Sequence, residues 1–241
     1  MRILPADDPL GGLRACLEAD EAVTGHEPSG FPDHCWLLHA AHDAHGTRVR
    51  WSELLAPYGR TPADWGHNLS YRILSELPDR PTGFTWPEMG TPDRETLRHL
   101  VDVLARHSPQ GAATPCFWVQ AWIEDVGEPV TARLGRLDEA LAHHDLCEDP
   151  GHAPYHFPAQ WWPDGRAWYV LTDWDLSATE VFGSPELIAE LLGHPWLEAV
   201  RHPTIAAVGD APVGWRDYRA WRAARPGRAV VATRPARSRC G

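Results

Sequence analysis

The forty residues WWPDGRAWYVLTDWDLSATEVFGSPELIAELLGHPWLEAV, Trp161–Val200, decide the fold. Arg166–Trp174 alternates as a strand does, with Trp168, Val170, Thr172 and Trp174 on one side and Ala167, Tyr169, Leu171 and Asp173 on the other. Apolar residues occupy both sides, so the spacing predicts a strand covered on both faces. A second short strand over 178–182 follows. Ser184-Pro185-Glu186 then carries the signature of a helix start, a hydroxyl N-cap with proline at the first helical position. Leu187, Ile188, Leu191 and Leu192 make one apolar face, and Gly193 supplies the stop. Strand, strand, turn and helix form one α/β packing unit.

The same logic extends towards the N-terminus. Thr91-Pro92 opens a helix over 92–107 in which Leu97, Leu100, Val101 and Leu104 recur at helical spacing. Asp93 and Glu95 fall in its first turn and Arg106 and His107 in its last, each sign favourable to the helix dipole. Cys116–Glu124 alternates as a strand. Phe117, Val119, Ala121 and Ile123 are assigned to the core side, and Trp118, Gln120, Trp122 and Glu124 to an amphipathic side. Val130–Leu137 reads as its antiparallel return, and 138–160 as a His-, Asp- and Pro-rich loop crossing the sheet. Further upstream, Leu13–Val23 reads as a short helix, Cys35–His39 as helix or strand, Ser52–Pro57 as a short helix, Thr61-Pro62 as a helix start and 76–91 as a connecting loop. Together these elements predict an α+β fold, a mainly antiparallel sheet with helices packed on one face. A single globular domain spans 1–212, and a basic C-terminal helix and tail spans 213–241.

Charge is unevenly spread. The chain carries −11 overall, and every one of its 22 basic residues is arginine. Eight arginines against Asp217 give Val213–Gly241 a net +7, which leaves −18 on the other 212 residues. An acidic body repels phosphates, so nucleic acid is not an expected partner. Five cysteines at 16, 35, 116, 147 and 240 make no close-spaced pair. MRILPADDPLGG lacks the basic-then-apolar pattern of a secretory signal, and no apolar run approaches the roughly 20 residues of a membrane span. The expected setting is a reducing cytoplasm, with no membrane contact.

The order of motifs resembles a group of Trp-rich actinobacterial proteins of unknown function. The resemblance runs over roughly Gly30–Val200: WLLHAA, VRWSELLAPYGR, the helix ending LARHS, CFWVQAWIEDVG, then WWPDGRAWYVLTDWDLSATEVFGS and LIAELLGHPWLEA. It implies common descent and carries no activity or catalytic residue with it.

Three sets of residues are candidates for chemistry. The tryptophans come first. Trp118 and Trp122 share a strand side, and Trp161, Trp162, Trp168 and Trp174 lie in or beside a neighbouring strand. Large amphipathic rings on a sheet face suit a protein-binding surface. The second set is His143, Asp145, Cys147, His152 and His156, whose sulfur and imidazoles suit zinc, while His143-x-Asp145 with His194 or His202 matches an iron facial triad. His39, His42 and His45, spaced by three, would stack along a helix. The third is Asp173 and Asp175 with Glu180, a carboxylate group for acid–base work. Nucleophile elbows, phosphate loops and dinucleotide fingerprints are absent from the sequence. The expected function is a binding or interaction module, immunity-like or accessory, acting on a protein partner through an aromatic sheet face and needing no cofactor. The alternative is a zinc- or iron-dependent enzyme built on residues 143–156.

Overall fold

The computed structural model describes residues 2–4, 31–62, 82–119, 132–148, 157–172 and 176–201. Eight strands make one sheet: β1 (Arg2–Leu4), β2 (Asp33–Leu38), β6 (Pro115–Val119), β7 (Ala132–Arg136), β8 (Gln160–Pro163), β9 (Tyr169–Thr172), β10 (Ala178–Gly183) and β11 (Ala199–Val200). Their order is β1-β7-β6-β8-β9-β10-β2-β11, and every pairing is antiparallel. A smaller sheet joins β3 (Ala41–Asp43) to β4 (Arg48–Val49) and β5 (Phe84–Thr85). Four α-helices are described: α1 (Trp51–Leu55), α2 (Arg94–Arg106), α3 (Ala140–Glu148) and α4 (Pro185–Leu192). The α+β class and the antiparallel sheet are as the sequence predicts.

Both long helices form where their periodicity and caps place them. The Asp93 carboxylate accepts from the Thr96 amide at 3.0 Å, so the cap of α2 is Asp93, two residues beyond Thr91. Ser184 caps α4 by accepting from the Leu187 amide, with Pro185 at the first helical position and Gly193 at the end. Leu97, Leu100, Val103 and Leu104 of α2 and Leu187, Ile188 and Leu191 of α4 are buried on one side of the sheet. Against them lie Cys35, Leu37, Cys116, Trp118, Trp161, Trp168, Val170 and Val181. This is the main core. The short helix α1 buries Trp51 and Leu55 with Trp36, Leu38 and Ala178 of the opposite side, so the sheet has cover on both faces.

Residues 138–148 are not loop: a 3-10 turn over Leu137–Glu139 leads directly into α3. The helical signal is hidden because histidines stand at the inward positions. Ala140, His143, His144 and Cys147 follow helical spacing, and the first three are buried. Cys35–His39 resolves as strand, with its pairing to β10 running from Ala178↔Leu38 to Gly183↔Asp33. The readings at Leu13–Val23, beyond Pro62 as far as 81, at 120–131, at Asp173 to Asp175 and at 213–241 lie outside the described residues.

Candidate functional site

Side-chain alternation divides the predicted tryptophans between two interiors. Trp118, Trp161 and Trp168 point to the helix-covered side, each no more than 1% exposed. The Trp118 and Trp161 rings stack at 5.0 Å, Trp168 meets Trp161 edge-on at 5.4 Å, and the Trp168 indole N–H donates to Ser108 Oγ at 2.8 Å. The side of β6 that bears Trp118, expected to be amphipathic, therefore faces the main core. The expected exposed aromatic surface does not exist at these three residues, because the helices α2 and α4 lie over it. Trp162 points the other way, and Trp122 and Trp174 lie outside the described residues.

Among the described residues the metal candidates His143, Asp145 and Cys147 do not come together. Asp145 is exposed and accepts from Arg94 Nε–H at 2.7 Å, which holds its carboxyl below the usual range. His143 is buried with its ring 4.9 Å from Trp118. Cys147 donates its S–H to the His143 carbonyl one turn back, and burial pushes its thiol up to about 11. His152 and His156 lie outside the described residues, and among the described residues no group of three His, Cys, Asp or Glu is arranged to hold a metal ion. His194 meets His99 edge-on at 5.1 Å. His39, His42 and His45 fall at the end of β2, in β3 and in the turn after it, so helical stacking does not arise.

His39 is instead a buried strut. Burial pulls its imidazole down to about 4, so the ring is neutral near pH 7. Its Nδ1 lies 2.7 Å from the Glu88 carbonyl, which can only accept, so Nδ1 carries the proton. Nε2 then accepts from the Thr179 hydroxyl at 2.9 Å, and Thr179 in turn accepts from Thr172 at 2.9 Å. The chain of three ties the sheet to the segment after β5.

The side of the sheet opposite the long helices carries a second aromatic arrangement, open to solvent only at one end. Register brings Leu134, Phe117 and Trp162 opposite one another across β7, β6 and β8, and Tyr169, Phe182 and His34 across β9, β10 and β2. The rings form one continuous ladder: Phe117 to Trp162 at 5.8 Å, Trp162 to Tyr169 at 5.7 Å, Tyr169 to Phe182 at 5.9 Å and Phe182 to His34 at 5.4 Å. These spacings fall within the range of favourable aromatic pairs. Phe31 lies over Tyr169 and Phe182 at 6.3 and 6.1 Å. The ladder is buried at Trp162 and Tyr169 and reaches solvent at its Phe31 and His34 end.

The next row along the strands holds Val119, Gln160, Leu171, Glu180 and Trp36 in register. Two polar side chains thus stand on an apolar floor, two strands or about 10 Å apart with Leu171 between them. Gln160 is wholly buried, and among the described residues neither its amide oxygen nor its amide nitrogen has a hydrogen-bond partner. Glu180 is 1% exposed, with His34 Nε2 at 3.7 Å from its carboxylate. That is too long for a hydrogen bond. Burial is the main cause that lowers the His34 pKa, with Arg201 adding to it and Asp33 opposing. Asp33 is held by Arg201 at 2.6 Å.

At the solvent-reaching end, the part-exposed Phe31 and His34 rings offer faces on which a flat or apolar group can stack. Sequence reading missed Gln160, Tyr169, Phe182 and His34 as a set because they come from four strands far apart in the chain. The local signal was present: ATEVFG places a lone carboxylate inside an apolar strand, and Gln160 alternates onto the same side as Trp162. No protein-family model matches the chain, and neither the curated proteins nor the solved structures contain a match.

Proposed function

We propose that the chain is a cytoplasmic binding module, immunity-like or accessory in role, that engages a protein partner through the aromatic ladder and its adjoining polar row. In this reading it belongs with the Trp-rich group that its motifs resemble. The observation that supports it is the end of the ladder that reaches solvent, where Phe31 lies over Tyr169 and Phe182 and His34 stacks on Phe182. Part-exposed rings of this kind suit the apolar and aromatic side chains of a partner. Contact is made there, since Gln160, Trp162 and Tyr169 are enclosed and support the exposed end from within. No helix among the described residues is long and apolar enough to cross a membrane.

The test begins with affinity capture from extracts of the source organism using the full chain. The captured protein is then produced alone and titrated calorimetrically against wild type, Phe31→Ala and His34→Ala. Wild type binding at least about tenfold more tightly than both variants, with their folds intact by circular dichroism, is the expected result. Equal affinities for all three would remove the ladder from the interface.

A further inference from the structure

The solvent-reaching end of the ladder is also where the described part of the chain leaves the sheet. β11 runs antiparallel to β2, with Ala199 opposite Leu37 and Val200 opposite Trp36, so it is aimed along β2 towards Phe31. Arg201 fixes that direction. Its Nη1 donates to both Asp33 carboxylate oxygens, at 2.6 and 2.8 Å, and Asp33 is the neighbour of His34 in β2.

Residues 202–241 continue from that point. Among them, Gly214–Arg225 reads GWRDYRAWRAAR, in which Trp215, Tyr218 and Trp221 stand among four arginines and one acid, Asp217. The 14 residues from His202 to Trp215 span up to about 46 Å when extended. Phe31 and His34 fall within that reach, because Arg201 is bonded to the residue beside His34.

Charge and ring chemistry both match. Val213–Gly241 carries +7 and the remaining residues −18, so the two attract. Phe31 and His34 are part-exposed rings backed by Tyr169 and Phe182, a platform for the aromatic side chains of the segment. Its arginines can lie on the same ring faces, as Arg48 lies 4.2 Å from the Trp196 centroid elsewhere in this protein. Trp196 is a weaker platform, since it already carries both Arg48 and His99. Tethering makes the contact intramolecular, at effective concentrations on the order of millimolar, so modest stacking is enough to hold it.

We propose that the chain's own segment Gly214–Arg225 occupies the Phe31 and His34 end in the free protein, and that a protein partner must displace it. The displacement rests on the partner reading given above; the intramolecular contact does not.

The experiment uses the full chain with Pro32→Cys, an exposed position beside Phe31, and Ala220→Cys, in a background of Cys16→Ser, Cys147→Ser and Cys240→Ser. Equilibration in a glutathione redox buffer measures the effective concentration of the two thiols. The expected result is an intramolecular disulfide whose effective concentration is at least about tenfold higher than in the same pair carrying Trp215→Ser and Trp221→Ser, which keeps the tether length unchanged. Raising the salt to about 1 M should lower it towards that variant. Equal effective concentrations in the two proteins would overturn the proposal, as would disulfides that form only between two copies. No partner is needed for this measurement, so its failure is separate from failure of the partner reading. With the captured partner, Trp215→Ser with Trp221→Ser in the otherwise wild-type chain should bind at least about threefold more tightly than wild type. Unchanged or weaker binding would overturn the displacement.

Discussion

Replacing Gln160 with methionine tests whether the fold leaves an enclosed amide unsatisfied. The side chain is wholly enclosed beside Val119 and Leu171, and among the described residues its two polar atoms have no hydrogen-bond partner. Taking an amide out of water without compensation costs about 1–3 kcal/mol by mutational measures. Methionine has similar length and an adaptable thioether, so it fills the same space without that cost. Gln160→Met is therefore expected to stabilise the fold by about 1–3 kcal/mol. For a chain of this size each kcal/mol corresponds to a rise in Tm of about 2–4 °C. Urea unfolding followed by tryptophan fluorescence measures the change, with an unaltered m-value showing that the unfolded reference is the same. Gln160→Ala is the control: it removes the amide but leaves a cavity, and is expected to destabilise. A loss of more than about 1 kcal/mol in Gln160→Met would refute the reasoning, since it would mean that the folded chain satisfies the amide.

Three further outcomes follow from the geometry. His39 is neutral in the fold and titrates at about 4, whereas an unfolded imidazole takes up its proton near 6.5. Stability from this group is therefore complete above about pH 6.5 and falls as acid drives the pH towards 4, by about 3 kcal/mol in all; unfolding curves of wild type and His39→Gln across that window should converge on acidification. Gly183 lies so close to α4 that an added Cβ would stand 2.5 Å from Leu187 Cδ2 and 3.5 Å from Trp168 Cβ, both buried. Gly183→Ala is expected to cost about 1–3 kcal/mol in chemical denaturation. Arg166 holds a left-handed backbone, φ 51°, in the exposed turn between β8 and β9. Arg166→Gly relieves that conformation and should raise stability by about 0.5–1 kcal/mol, measured calorimetrically.

Local chemistry determines much of this chain. The helices α2 and α4 follow from apolar spacing closed by Asp93, Ser184 and Gly193, all interactions within a few residues. The strands β6, β7, β9 and β10 are likewise legible from alternation, and their antiparallel class from their order. α3 was not legible because His143 and His144 occupy buried positions where hydropathy registers polarity. Which side of a strand faces which interior was decided only in three dimensions. Apolar residues stand on both sides of β6, β8 and β9, so alternation identifies two sets without saying which the helices cover. Trp118 and Trp162 differ only in that respect, one under α2 and α4 and the other in the ladder. The ladder itself depends on register across five strands drawn from residues 34 to 182. No local interaction encodes that register; the folded sheet creates it by burying both faces at once.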